Sequence, residues 1–460
     1  MRFGGELDAA YRQALRHQES GQHAQALILL VAILQKYPDA ADILVRQGVS
    51  QWSLRRFEEA LASFERAAMI EPGNVDAHYS KGAVLQSLHR FEAALKSYDR
   101  ALSLRPDLVL ALNNKAVVLR DLRRVPEAIA HYDKAIAIQP GNPAFLVGKA
   151  FCLMLLGDFA QGLPLLEWRK AFVTAVGDAP AQSPFWMGED LQGKSLLIRA
   201  EQGLGDTIQF CRYALIARAR GAKVFLGVQD NLVRLLQSLD PDIAVLGPQK
   251  PFPVCDYKTM LLTMPLRSGT TPATIPAAVP YLFAEAVRTE QWRHRLAGHG
   301  FRIGIAWQGE RTWQGVEKPE DIGRSFPLRL YRTLADIPGV RLISLQKNDG
   351  IEQLADLPPG MSVEVLDGLD DGPDAFLDTA AVMQTLDLVI TSDTAIAHLA
   401  GALGRPVWLA LRQVPDWRWR LEGDDTQWYP TMRLFRQEAP GDWAGVFARI
   451  AARLRAELGG

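Results

Sequence analysis

Pro38, Pro72, Pro106 and Pro140 recur evenly, with a period of about 34 residues. Ala26, Ala60, Ala94 and Ala128 keep the same interval, as do Ala67, Ala101 and Ala135 and the ring positions Phe64, Tyr98 and Tyr132. A fixed period of this length makes each unit one small element that cannot bury its apolar face alone and has to stack on its neighbours. Within each unit apolar residues recur at helical spacing, and a proline stops the second helix. Each unit therefore predicts two amphipathic helices and a turn. Gly48, Gly82, Ala116 and Ala150 mark a position where a large side chain would not fit.

This pattern resembles the tetratricopeptide repeat (TPR). The units run 5–38, 39–72, 73–106 and 107–140, with a degenerate capping unit from 141. Such arrays serve as scaffolds or as curved surfaces that bind a peptide or protein. Lys81, Lys115 and Lys149, and likewise Arg56, Arg90 and Arg124, repeat at that same interval. These columns read either as solvated faces paired with local acids or as a stripe for an acidic ligand.

The chain has 460 residues and a net charge of -1, from 51 Lys+Arg and 52 Asp+Glu. That balance excludes a generally basic nucleic-acid binder and an acidic solvating tail. Cys152, Cys211 and Cys255 have no metal-like spacing, and their odd number speaks for a reducing compartment. The stretch MRFGGELDAAYRQ carries charges where a secretory signal needs an apolar run, and no stretch is long and apolar enough for a membrane span. The expectation is a cytoplasmic multidomain protein.

Beyond the repeats the pattern changes to alternating strand and helix. Residues 175–193 are rich in Pro, Gly and Ala and read as a linker. Strands are expected at 195–200 and 223–228, with a helix from Thr207 to about Arg220 between them. A second run is expected at 302–307, 340–346, 363–368, 386–393, 406–411 and 432–437, and an amphipathic helix at 441–458. Two Rossmann-like halves facing across a cleft account for this better than one long parallel sheet.

Two loops carry candidate chemistry. Gly203-Leu204-Gly205-Asp206 follows the first strand, where open α/β sheets place ligands. Its glycines permit close backbone approach, and Asp206 reads either as a helix cap or as a general base aimed into a cleft. The spacing does not complete a dinucleotide fingerprint. The second loop, Thr391 to His398, opens a helix after the strand LDLVI. Hydroxyls and free N–H groups there suit a diphosphate, and His398 lies four residues after Thr394 on the same face.

With EQGLGDTIQF and SDTAIAHLAGALGRPVWLAL in hand, residues 190–457 resemble the heptosyltransferase-like glycosyltransferases, which have the two-Rossmann GT-B fold. GIAWQG, RSFPL, SLQK, PDWRWRL and WYPTMRLFRQ are similar to a bacterial subgroup with TPRs in front. The resemblance implies a TPR superhelix at 1–175, a linker at 176–193, an acceptor-side half at 194–290, a nucleotide-sugar half at 300–437 and a terminal helix at 438–460. It implies Asp206 as catalytic base and Arg324 as a donor-phosphate contact. Gly203, Gly205, Gln346, Lys347, Ser392, Asp393, Thr394, Ala395, Ile396 and His398 are then donor-binding residues. Ala395 stands where the family commonly has Gly, the stretch before Arg324 is longer than in the family, and Lys258 takes the place of a histidine.

The implied reaction is an inverting transfer from a nucleotide-sugar, with Asp206 taking the proton of an acceptor hydroxyl and no metal or other cofactor required. Asp370-Asp371 and Asp424-Asp425 read as turn acids rather than metal ligands. Trp408, Trp417, Trp419, Trp428 and Trp443 read mainly as core, with one or two in a sugar or base pocket. The acceptor is expected to be a protein recruited by the repeats and modified on Ser or Thr, flagellin being the example known among similar proteins. The asparagine ladder of the O-linked N-acetylglucosamine transferases is replaced here by Arg46, Ser80, Asn114 and Gly148, which points to a particular partner. A transferase acting on lipopolysaccharide or capsule intermediates and a non-catalytic binding protein are the alternatives.

Overall fold

The computed structural model describes residues 5–310, 312–313, 316–317 and 323–459. The chain divides into two compact units between Leu153 and Met154.

The first unit is a stack of helical pairs: α1 Gly5–Glu19, α2 His23–Lys36, α3 Ala41–Ser53, α4 Phe57–Ile70, α5 Val75–Ser87, α6 Phe91–Leu104, α7 Val109–Asp121, α8 Val125–Ile138 and α9 Pro143–Leu155. Local sterics set the repeat boundaries. The residue after each second helix, Tyr37, Glu71, Arg105 or Gln139, precedes a proline and is extended, with φ between -127° and -138°. Each first helix ends through a left-handed residue shortly after its last turn. Gly21, Arg55, His89, Arg123 and Gly157 all have positive φ, and they keep the period of the prolines. Phe64, Tyr98 and Tyr132 are buried. A Cβ on Gly48 would come within 2.7 Å of the Phe64 ring, and one on Gly82 within 2.6 Å of the Tyr98 ring.

The basic columns are paired. Lys81, Lys115 and Lys149 meet Glu65, Asp99 and Asp133, each an acid on the preceding helix. Arg56 and Arg124 pair with Glu59 and Glu127, and Arg90 with Glu58. These columns are therefore solvated, locally neutralised faces.

The second unit takes in the last two residues of α9 and continues with α10 Phe159–Leu166, the last helix of the array, and a 3-10 turn at Glu167–Ala171. Its strands are β1 Ser195–Arg199, β2 Lys223–Gly227, β3 Ala244–Leu246, β4 Tyr257–Met260, β5 Phe301–Ala306, a short β6–β7 hairpin (Thr312–Trp313 and Val316–Glu317), β8 Val340–Ser344, β9 Leu388–Ser392, β10 Val407–Leu411 and β11 Met432–Arg436. Its helices are α11 Leu204–Phe210, α12 Arg212–Ala219, α13 Val233–Leu236, α14 Met264–Arg267, α15 Ala286–Arg295, α16 Arg332–Ala335, α17 Leu377–Met383, α18 Ala395–Ala402 and α19 Trp443–Leu458.

Two parallel sheets form, with strand orders β3-β2-β1-β4 and β11-β10-β9-β5-β8. This is the two-halved GT-B arrangement. In the first sheet the order reverses at β1, which lies between β2 and β4. In the second it reverses at β5, between β8 and β9. Ligand crevices in open α/β sheets lie at such reversals, beyond the carboxyl ends of the strands. Tyr331 fixes the second reversal: its hydroxyl reaches the carbonyls of Ala306 and Ile390, at 3.0 and 2.8 Å. Val446, Phe447, Ile450 and Leu454 of α19 pack on Ile303, Ile305 and Ile390 beneath it, each buried apolar side chain contributing about 1.5–3 kcal/mol.

Three local expectations are corrected. The helix read from Thr207 to Arg220 starts earlier, at Leu204, and divides at Cys211. The stretch 363–368 makes a single parallel bridge, Glu364 to Ile343, instead of a strand. The Pro/Gly-rich stretch 175–193 is not a free tether. Trp186 is buried, its backbone N–H donates to the Lys258 carbonyl, and the Lys258 N–H donates to the Pro184 carbonyl, so the stretch covers the β4 edge of the first sheet. The compact-unit boundary falls before α10, ahead of 175. Arg169 and Glu201, both buried, pair at 2.6 Å and tie the 3-10 turn after α10 to the end of β1.

Candidate active site

The loop after β1 turns through Gln202, a non-glycine residue at φ +63°. Strain of this kind persists where surrounding structure enforces it. α11 then begins with Gly203 as its cap. Asp206 is the third residue of this helix, so it is not the cap itself. Its Oδ2 accepts from the Gly203 N–H at 3.0 Å, which satisfies one of the helix's unpaired donors. Thr207 Oγ1 donates to Gln229 Oε1 at 3.0 Å.

The loop after β9 opens α18 with Thr394 as its extended cap. The first N–H groups of this helix, at Ala395 and Ile396, have no intrahelical carbonyl to reach and present positive dipole ends. Ser392 is buried, and among the described residues its Oγ has no hydrogen-bond partner.

The two loops meet. A Cβ on Gly205 would lie 3.0 Å from His398 Cδ2 and 3.3 Å from Ala395 Cα. Only the absence of a side chain at Gly205 lets α11 come so close to α18. Asp206 and the α18 N-terminus, distant in sequence and on opposite halves of the unit, are thereby brought to one place.

His398 is buried. Its Nδ1 shares a hydrogen bond with Tyr429 Oη at 3.1 Å, and its ring stacks on Trp419 with centroids 5.5 Å apart. Burial, then the neighbouring Arg418, Arg212 and Arg324, press its pKa well below that of a free imidazole, so the ring is neutral. Tyr429 reaches Tyr281, whose hydroxyl accepts from Arg212 at 2.6 Å. Asp393 is buried too. Burial and the charge of Asp416 raise its pKa, opposed by Arg324, Trp419 and Arg418. Arg324 is thus an electrostatic neighbour of both Asp393 and His398. Its loop is tied to the end of β5 by the Phe326 N–H, which donates to the Trp307 carbonyl.

Gln346 and Lys347 lie on the loop after β8. Gln346 Oε1 accepts from the Trp307 and Gln308 N–H groups at 2.9 and 3.1 Å, and its Nε2 donates to the Gln308 and Asp349 carbonyls. Its amide therefore brackets the β5 and β8 loops. Lys347 Nζ donates to the carbonyls of Leu369 and Asp370 and pairs with Asp371. Lys258 donates to the Pro180 carbonyl at 3.0 Å and lies over the Phe185 ring. Trp408, Trp417, Trp419, Trp428 and Trp443 are all buried. Among the described residues no three His, Cys, Asp or Glu side chains are grouped to hold a metal ion. No described helix is long and apolar enough to cross a membrane.

Sequence reading gave no role to Arg418, which sits at the centre. From the second half of the unit it donates to Asp206 Oδ1 and, through Nε, to Gln209 Oε1 at 2.5 Å, while Nη1 pairs with Asp416 at 2.9 Å. Its guanidinium lies over Phe210 and Trp417, 5.1 Å from each ring centroid. Burial opposes its charge, but Asp416 and Asp206 more than offset that and its pKa rises. Trp417 in turn meets Phe159 of α10 edge-on at 5.7 Å. Only the cluster PDWRWRL, dense in aromatic and basic residues, hinted at this in the sequence.

The fold and this site define a class: a helical repeat array joined to a two-sheet α/β unit with an anion-ready helix terminus opposite a carboxylate. The repeats and part of the second half of the α/β unit have counterparts among known proteins. The tetratricopeptide repeat model matches residues 11–77 and 79–143, and the glycosyltransferase family 9 (heptosyltransferase) model matches 332–411. The second match includes Ser392 to His398 but neither Asp206 nor Arg324. Protein FlbA of Caulobacter vibrioides is 29% identical over 333 residues, which is 67% of this chain and 54% of that protein. The chain thus spans about half the length of this curated relative. Among solved structures, MamA residues 41 to the end from Desulfovibrio magneticus RS-1 is 17% identical over 37% of this chain and 98% of its own, with a TM-score of 0.35. Another MamA crystal structure covers 34% of this chain and 92% of its own at 17% identity and a TM-score of 0.33. The chain thus carries tetratricopeptide repeats followed by a region similar to the heptosyltransferase-like glycosyltransferases.

Proposed function

We propose that the α/β unit transfers a sugar from a nucleotide-sugar to Ser or Thr hydroxyls of a protein held by the repeats. The observation that carries this reading is the approach of Asp206 to the N-terminus of α18 through Gly205. A carboxylate that can accept a proton and a helix end that can hold a diphosphate lie together. The acceptor hydroxyl attacks the anomeric carbon, Asp206 takes its proton, and the configuration inverts in a single displacement. Charge grows on the departing nucleotide and is met by the N–H groups of Ala395 and Ile396 and by Arg324. Thr394, Asp393, Ser392 and neutral His398 shape that pocket. No metal is assigned a part. Gln346 and Lys347, on the loop after β8, are placed on the nucleoside side of the donor site.

The recruited protein is one with a particular surface. Ser80 is buried, Asn114 donates to Tyr79 Oη at 3.3 Å, and a Cβ on Gly148 would collide with the Tyr132 ring at 2.5 Å. That column therefore offers no ladder of free amides for clamping arbitrary peptides. Flagellin is the acceptor suggested by the resemblance.

Two measurements test the reading. Asp206→Asn keeps an oxygen for the Gly203 N–H, gives up the charge pair with Arg418, and is expected to remain folded, with Asp416 still paired to Arg418, while losing ~10²–10⁴ in turnover. Nucleoside diphosphates at millimolar concentration are expected to raise the melting temperature. Normal turnover in Asp206→Asn removes that residue from the mechanism. No thermal shift with any nucleoside diphosphate removes the donor site from α18.

A further inference from the structure

We propose that Arg418 is a positioning residue for Asp206, and that it acts from the opposite half of the α/β unit. This rests on the reading of Asp206 as base. Asp206 has two carboxylate oxygens. One accepts from the Gly203 N–H in its own helix, and the other accepts from Arg418. The first contact fixes the height of the carboxylate on α11, and the second fixes its rotation. An acid that must meet a hydroxyl at hydrogen-bond distance has to have both defined.

Arg418 is built for that task rather than free to swing. Its side chain is 9% exposed. Nη1 pairs with Asp416 and Nε donates to Gln209, and the Phe210 and Trp417 rings flank the guanidinium. A planar fork can bridge Asp206, Gln209 and Asp416 together, which a lysine ammonium cannot do with the same geometry. Arg418 belongs to the second half and Asp206 to the first, so the orientation of the carboxylate depends on a contact made across the two halves of the unit.

The first test needs no substrate. Amide hydrogen exchange is measured for the full chain in wild type, Arg418→Met, Arg418→Lys and Asp416→Asn. The expected result is roughly tenfold faster exchange at 203–210 in Arg418→Met, with the repeats and the second sheet unchanged. Arg418→Lys and Asp416→Asn are expected to show smaller changes at the same residues. Unchanged protection at 203–210 in Arg418→Met overturns the proposal, and so does uniform loss across the unit in all three variants.

The second test is a kinetic cycle with UDP-N-acetylglucosamine, GDP-mannose and ADP-heptose as donor probes, read by diphosphate release. Arg418→Met is expected to cost about 10²-fold in wild type and under about twofold in Asp206→Asn, because the residues act as one unit. Equal losses in both backgrounds overturn the proposal. Loss in Arg418→Met without local exchange changes also overturns it. Faster exchange at 203–210 together with no diphosphate release in wild type supports the positioning and counts against the transfer reading instead.

Discussion

His398 shows how burial and nearby charge set what one residue can do. The imidazole is enclosed, stacked on Trp419 and surrounded by three arginines, and its pKa lies well below 6.5. A group held neutral in the folded state binds fewer protons there than in the unfolded chain. Its contribution to stability is complete above about pH 6.5 and is lost as the pH falls from there toward the folded pKa. Urea unfolding between about pH 7.5 and 5.5 is expected to show stability falling with acid, by up to ~1.4 kcal/mol per pH unit from this one group. His398→Gln, which can still accept from Tyr429, is expected to have a shallower slope over that range. Identical slopes would mean that the ring is not held neutral.

At the level of elements, close approach matters more than propensity. Gly205→Ala places a methyl against His398 and the Ala395 backbone and is expected to cost ~1–3 kcal/mol, with a weaker nucleotide-induced thermal shift. Gly82→Ala, against the Tyr98 ring, is expected to cost a similar amount without touching nucleotide binding. Melting curves with and without a nucleoside diphosphate separate the two. The repeats were legible because each unit is built from neighbours in sequence: the pre-proline turn, the buried ring and the small residue recur together. β1, β2 and the five strands of the second sheet were legible as short apolar runs, but β3 and β4, only three and four residues long, were not. The end of the helix at Cys211 was not, because the apolar spacing continues through it. Nor was the failure of 363–368 to pair beyond one bridge, since apolar alternation alone does not supply a partner edge. Arg418 was the least legible, because its meaning lies in a contact with a residue far away in the chain, on the other half of the unit.

On the scale of the whole molecule, the end of the repeat array is part of the α/β unit. Arg169 holds the buried Glu201 at the start of the 201–206 loop, and Phe159 packs on Trp417 beneath Arg418. A chain starting at Gln182 lacks both and leaves Glu201 buried without its arginine, at a cost of ~3–5 kcal/mol. A chain starting at Met154 keeps them. The longer piece is expected to melt cooperatively, and the shorter one to melt lower or fail to fold. Equal melting of the two pieces would show that α10 is only a tether.

The proposed activity is the placing of a sugar on a protein, with Asp206 as base. Intact-mass analysis of candidate acceptor proteins, taken from cells with the wild-type chain, with Asp206→Asn and with neither, tests it most directly. Sugar-sized mass increments on Ser or Thr residues are expected with the wild-type chain alone. Identical acceptor masses in all three, or increments that persist with Asp206→Asn, would contradict it.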